Sequence, residues 1–198
     1  MFKVLTFSLV IAALFLACVK GDNAVQKTET FTVNDLRQEV HWHADFAVFI
    51  EGEQLVFNSE EYITTENFTV AEYVHIHKPY YSVVHVHREQ TTWSEFFETL
   101  GWELSATCLI FDQKKYCSSE DKSLIFYVND VQVDSITFLE ISDLQRVLIS
   151  YGNPSPKELS RQLGIVGSES CILSELCLDR VPETDDYPEP CSGRSNCN

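Results

Sequence analysis

The chain has 198 residues, of which 44% are hydrophobic and 12% aromatic, and this composition argues against a chain that is disordered throughout. The length is that of one domain with extensions. A formal net charge of −16 argues against nucleic-acid binding, because phosphate backbones are bound by clustered lysine and arginine. An acidic surface instead attracts cations.

The first 21 residues are typical of a signal peptide. Lys3 supplies a positive charge, and residues 4–19 form an almost unbroken apolar stretch. This stretch has the length of a signal-peptide core and is short for a membrane span. Cleavage after Gly21 predicts secretion. A loose lipoprotein box ending at Cys18 predicts a lipid anchor instead, and an uncleaved signal anchor is the third interpretation.

Residues 22–39 are polar and lack a clear period, so we interpret them as a linker. Alternation from 40 to 50 then predicts a strand. Its even-numbered positions are apolar and should face a core. The opposite face begins with His41, His43 and Asp45.

Three more short strands are predicted before the first helix. Glu51-Gly52 is a turn signal that leads into a strand at 54–57. Strands at 73–78 and 82–88 follow, and the three residues between them suit a hairpin that closes around Tyr81.

One helix is expected to pack on the sheet. Thr92 and Glu95 form a capping box, the residues that follow carry an apolar stripe, and Gly101 is a stop signal. Pro156 opens a second, smaller helix that Gly164 closes. The later strands predicted from alternation and turn residues are 107–111, 124–128, 131–133 and 146–151.

The cysteines indicate an oxidising compartment. With Cys18 inside the predicted signal peptide, an even number remains, as disulfides require. We expect Cys108 to pair with Cys117 and the last four cysteines to pair among themselves. Zinc ligation is the competing interpretation, but the spacing of the tail cysteines differs from the C-x2-C of structural zinc sites. The six cysteines are Cys108, Cys117, Cys171, Cys177, Cys191 and Cys197.

These elements predict an α+β fold. A mostly antiparallel β-sheet with one packed helix should occupy residues 40–152, and a β-grasp-like arrangement is one version of it. A helix and a disulfide-linked, cysteine-rich tail should occupy residues 153–198.

The histidines form the most specific pattern. All of them occur as His-x-His, which random placement would rarely produce. Residues i and i+2 of a strand project from the same face, so each pair presents two imidazoles side by side. A hairpin closing around Tyr81 would place opposed histidines with Cβ atoms about 4.5–5.5 Å apart, His77 facing His85 and His75 facing His87. The three pairs are His41/His43, His75/His77 and His85/His87.

Imidazole is a common ligand of zinc, copper, iron and nickel. The only methionine is Met1 and the cysteines are expected in disulfides, so soft ligands for Cu(I) are missing. We therefore expect Zn²⁺, with Cu²⁺ as the alternative. Six histidines allow one four-histidine site with two to spare, or two three-histidine sites. Asp45 and Glu89 extend the histidine faces and could orient an imidazole or act as further ligands.

Three functions fit this pattern. The first is an extracytoplasmic protein that binds a divalent transition metal, with metal ions as its partners and membrane contact only through the N-terminus. The second is a zinc-dependent hydrolase or hydratase with a three-histidine site. The third is a structural or adhesive surface protein that a metal stabilises. A histidine surface that responds to pH without metal is the remaining interpretation.

Four features occur in an order that resembles an uncharacterised family of exported prokaryotic proteins. They are HWHADFAVFI at 41–50, HIHKPYYSVVHVHREQTTWSEFF at 75–97, RVLISYG at 146–152 and the cysteine-rich tail. The resemblance covers most of the mature chain. It implies a shared site but no particular reaction.

Overall fold

The computed structural model describes residues 36–65, 68–177, 179 and 180. The predicted signal peptide with Cys18, most of the predicted linker, and Cys191 and Cys197 lie outside these residues. Within the described ranges, no helix has both the length and the apolar character needed to cross a membrane.

Ten strands and three short helices make up the described part of the chain. The strands are β1 (Glu39–Ile50), β2 (Glu53–Gln54), β3 (Val74–His75), β4 (Val83–Arg88), β5 (Glu103–Leu104), β6 (Cys108–Phe111), β7 (Lys114–Cys117), β8 (Ser123–Val128), β9 (Val131–Val133) and β10 (Arg146–Gly152). The helices are α1 (Trp93–Thr99), α2 (Pro156–Leu163) and α3 (Ser170–Leu173), with a 3-10 turn at Glu60–Tyr62.

A seven-stranded mixed sheet forms the centre of the fold, in the order β3-β4-β1-β10-β8-β9, with β2 paired to the end of β1. All of its pairings are antiparallel except that of β1 with β10. A second sheet has the order β5-β6-β7. The predicted α+β class and mostly antiparallel sheet are confirmed.

The two faces of β1 pack into different apolar clusters, and its alternation separates them. Ala44, Phe46 and Val48 belong to the main hydrophobic core. Ala47 and Phe49 project from the other face into a smaller apolar cluster near the C-terminal part of the chain. Burial on both faces explains why this strand lies in the interior of the sheet.

Helix α1 covers the main core. Thr92 and Glu95 form the predicted capping box, and the helix ends one residue before Leu100. Phe96 packs against Phe46 with ring centroids 5.3 Å apart. The aromatic stripe therefore attaches α1 to the central strand β1.

Several elements differ from the sequence prediction. The strand predicted at 54–57 is only the two-residue β2, because pairing with β1 stops at Gln54. Strands β5 and β7 and helix α3 were not predicted, because they are too short to show a period. The parallel pairing of β1 with β10 joins segments remote in sequence, which local patterns do not reveal.

Two disulfides lie in the described residues. Cys108 pairs with Cys117, as predicted, and the two residues stand opposite each other in the β6–β7 ladder. Cys171 pairs with Cys177, which agrees with pairing among the tail cysteines. Disulfides are typical of proteins in oxidising, extracytoplasmic compartments.

Replacing Phe46 by alanine should lower the free energy of unfolding by about 3–5 kcal/mol, the usual result of emptying an aromatic core position. Phe46 is 1% exposed and contacts four aromatic rings. Phe138→Ala is the matched control, because Phe138 is 88% exposed and its loss should change stability by less than about 0.5 kcal/mol. Chemical denaturation measures both, and equal effects would contradict this account of the core.

Candidate metal centre

Three neighbouring strands bring the histidines to one face of the sheet. Strand β4 lies between β1 and β3, with His85 directly opposite His43 on one side and His75 on the other. The rings form one connected cluster. The shortest separations of ring centroids are 4.7 Å for His41 and His43, 4.6 Å for His43 and His85, 4.6 Å for His77 and His85, 4.5 Å for His75 and His77, and 5.0 Å for both His41 and His75 against His87.

The predicted hairpin register is wrong by two residues. His75, and not His77, stands opposite His85. The connection between β3 and β4 runs from residue 76 to residue 82 and is longer than the three residues expected. Its tight turn lies at the end, where the Val83 N–H donates to the Tyr80 carbonyl at 3.1 Å. A two-residue shift leaves every side chain on its original face, so the shared histidine face survives the error.

His41, His43 and His85 form the tightest group. One nitrogen from each ring lies within 4.8 Å of the other two. Nitrogen atoms on one tetrahedral zinc lie about 3.4 Å apart when each bond is about 2.0–2.1 Å. Small ring rotations would therefore bring these three imidazoles onto a common ion.

The cluster is largely covered by protein. His43 and His85 are each 2% exposed, and His75 and His77 are also buried. His41 and His87 are half-buried. An ion bound in this cluster would thus meet imidazole ligands in a site with little solvent contact.

Hydrogen bonding orients His43. The Ser174 hydroxyl donates to Asp143 Oδ1 at 2.6 Å, so its oxygen is left to accept from His43 Nδ1 at 2.8 Å. Asp143 Oδ1 also accepts from the His43 backbone N–H at 3.1 Å. A proton held on Nδ1 leaves Nε2 as the coordinating atom, and such outer partners are usual for metal-bound histidine.

His75 is oriented in the same way. Its Nδ1 lies 2.6 Å from the carbonyl oxygen of Ala71. Because a carbonyl can only accept, His75 Nδ1 must carry the proton and Nε2 is left to coordinate.

Asp45 lies on the histidine face but bonds to the tail instead of an imidazole. Its carboxylate accepts from the N–H groups of Glu169 at 2.8 Å and Ser170 at 3.2 Å, and from the Ser170 hydroxyl. Burial raises the pKa of Asp45 to about 6, and these donors oppose the rise. Glu89 is half-buried beyond the end of β4, and its N–H donates to Gln38 O at 3.0 Å.

Arg146 binds the backbone carbonyl groups of the same tail segment. It stands opposite Asp45 in the β1–β10 register. Its guanidinium donates to the carbonyl oxygens of Val166 at 2.9 Å and Gly167 at 3.0 Å. Asp45 thus binds N–H groups of the tail, and Arg146 binds the carbonyl groups that precede them. Together these two residues position the segment that carries Ser174 beside His43.

Sequence reasoning missed Ser174, Asp143 and the Ala71 carbonyl. Ser174 and His43 are 131 residues apart, and the tail was expected to be held only by cross-links. A serine or aspartate in a loop has no distinctive spacing, and a backbone carbonyl has no sequence signal. Only the folded chain reveals these partners.

Ser174→Ala should weaken metal affinity about 10-fold, because His43 would lose the acceptor that fixes its ring. Ser160→Ala on the exposed surface of α2 is the matched control and should leave affinity unchanged. Competition with a chromophoric chelator measures both variants. Equal affinities would show that Ser174 has no part in orienting the ligand.

The Asp45 pKa predicts a pH dependence that is best measured on metal-free protein against Asp45→Asn. Since its folded pKa of about 6 exceeds the usual 3.8, the native state holds the proton more tightly than the unfolded chain. The stability of the wild type relative to Asp45→Asn should therefore fall by roughly 3 kcal/mol as pH rises from about 4 to about 6, and then level off. Urea unfolding at each pH measures the difference, and a flat difference would contradict the prediction.

No family model, curated protein or solved structure matches the chain. The resemblance to exported prokaryotic proteins therefore stays a prediction. The geometry of the histidine cluster is the basis for the functional conclusion.

Proposed function

We propose that this protein binds a divalent transition-metal ion outside the cytoplasm. The observation that carries the proposal is the group of three imidazoles, His41, His43 and His85, with one nitrogen from each within 4.8 Å of the others. The three side chains come from two adjacent strands, β1 and β4, so folding of the sheet assembles the ligand set. The net charge of −16 favours accumulation of cations near the surface.

Zn²⁺ is the ion we favour, with Cu²⁺ as the alternative. All three ligands are imidazoles, which suit both ions. Thiolate competes poorly, because the described Cys108, Cys117, Cys171 and Cys177 are in disulfides. Zinc has no geometric preference of its own and accepts three histidines plus one further ligand.

Burial of the ligands supports a firmly held ion. A carrier that exchanges its metal needs exposed ligands, and a hydrolase needs an open coordination position in a pocket. His43 and His85 are each 2% exposed, and the tail lies against His43 through Ser174. These contacts favour a stabilising role for the metal as the second candidate function, because the ion would join β1, β4 and the tail.

Export is part of the proposal. The two disulfides support an oxidising compartment. The apolar stretch at 4–19 supports a signal peptide, and Cys18 allows lipid attachment as an alternative to release. Deletion of residues 2–21 in an exporting host should abolish secretion of the chain.

Protein purified without a histidine tag should contain at least one equivalent of Zn²⁺ or Cu²⁺ by elemental analysis. Chelation should lower the melting temperature by about 5–15 °C, since removing a ligand that binds only the native state removes its binding free energy. Acidification should also release the ion, because imidazole coordinates only when deprotonated.

His43→Gln tests the ligand set directly: it should remove the ion held by His41, His43 and His85 and reduce the response to chelation. Glu39→Gln, at the exposed start of the same strand, is the control and should keep both the metal and the response. Wild-type protein that contains no metal and gains no thermal stability from added Zn²⁺ or Cu²⁺ would overturn the proposal.

A further inference from the structure

We propose that the cluster is a two-ion centre, in which His75, His77 and His87 hold a second divalent transition-metal ion. The inference relies on the proposed function for the class of ion. It goes beyond that function in assigning a separate site to the three histidines that His41, His43 and His85 leave over.

The two halves of the cluster have matching geometry. In the first half His43 is central, with ring centroids 4.7 Å from His41 and 4.6 Å from His85. In the second half His75 is central, 4.5 Å from His77 and 5.0 Å from His87. Each half thus combines one histidine of β4 with a His-x-His pair from one of its two neighbours, β1 for His41 and His43, and β3 with the residues directly after it for His75 and His77.

Both central histidines are held by an oxygen outside the cluster. His43 Nδ1 lies 2.8 Å from Ser174 Oγ, and His75 Nδ1 lies 2.6 Å from the Ala71 carbonyl. Each contact fixes the proton on Nδ1, so Nε2 carries the lone pair with which the ring would bind a metal. Such an outer partner is usual for a metal-bound histidine, and the one at His75 does not depend on the first group.

The sheet itself separates the halves. Strands β1 and β3 lie on opposite sides of β4, so their axes are about 9–10 Å apart at the usual strand spacing. Imidazole nitrogens on one ion must lie within about 4.2 Å of one another, twice the Zn–N distance. One ion therefore cannot easily take both outer pairs. Both histidines of β4 sit between the halves: the His85 centroid lies 4.6 Å from both His43 and His77, and the His87 centroid lies 5.0 Å from both His41 and His75. The nitrogens of His85 group with those of His41 and His43, which leaves His87 for the second ion.

Burial supports a ligand role for the second group. His75 is 5% exposed and His77 is 0% exposed. The net charge of −16 favours the approach of cations to the surface.

The test is the stoichiometry of Zn²⁺ on the full chain, measured by elemental analysis after gel filtration, with Co²⁺ absorption as a second probe. Wild type should bind two ions per chain. The matched double variants His75→Gln/His77→Gln and His41→Gln/His43→Gln should each bind one. Two ions retained by the His75/His77 variant would overturn the inference.

The outcomes separate the two proposals. One ion on the wild type, retained by the His75/His77 variant, would overturn the second site and leave the proposed function intact. No ion on the wild type would overturn both. If circular dichroism shows that a double variant does not fold, His87→Gln at a half-buried position replaces it. This variant should weaken only the second equivalent, at least 10-fold, and unchanged affinity for both equivalents would overturn the inference.

Discussion

The two-residue repeat of a β-strand is the constraint on which the structure depends. On β1 it sends Ala44, Phe46 and Val48 into the main core and leaves His41 and His43 on the opposite face. The same repeat acts on β3 and β4, which are hydrogen-bonded in the same sheet. Because three adjacent strands obey one alternation, the apolar residues that attach the sheet to α1 also hold the imidazoles in register. The same alternation therefore places the core residues on one face of these strands and the histidines on the other.

A buried polar face has to be covered by groups that satisfy it, and the C-terminal segment does so. Asp45 accepts from the N–H groups at the start of α3, while Arg146, opposite it in the parallel register, donates to the carbonyls that precede α3. The acidic Asp45 on β1 thus binds N–H groups of the tail, and the basic Arg146 on β10 binds its carbonyl groups. Hydrogen bonds to a charged partner are stronger than neutral ones, and at Asp45 they offset part of the cost of burying the carboxylate. The resulting anchor places Ser174 against His43 without requiring a large apolar contact.

The features predicted correctly from the sequence are those that depend on residues close together in the chain. The alternation at 40–50 gave the correct faces of β1, and Thr92 with Glu95 gave the start of α1. The predicted hairpin register is wrong by two residues because the connection, residues 76–82, is longer than the three residues expected. The β1–β10 pairing and the contact of Ser174 with His43 depend on chain segments about 100 residues or more apart, for which periodicity has no information. Thus the histidine face was predictable, whereas the groups that orient its rings were not.

Because the tail covers the histidines, the affinity of the proposed metal site would depend on the order of that tail. The contact between Ser174 and His43 exists only when the segment held by Asp45 and Arg146 is in place. If Ser174 improves the ligand geometry, then by reciprocity a bound ion stabilises the folded tail to the same extent. Cys171–Cys177 closes a loop around Ser174 and reduces the conformations available when the tail is released. A bound ion and the disulfide would therefore act on one equilibrium, the docking of residues 163–177 on the sheet, and each would favour the docked state.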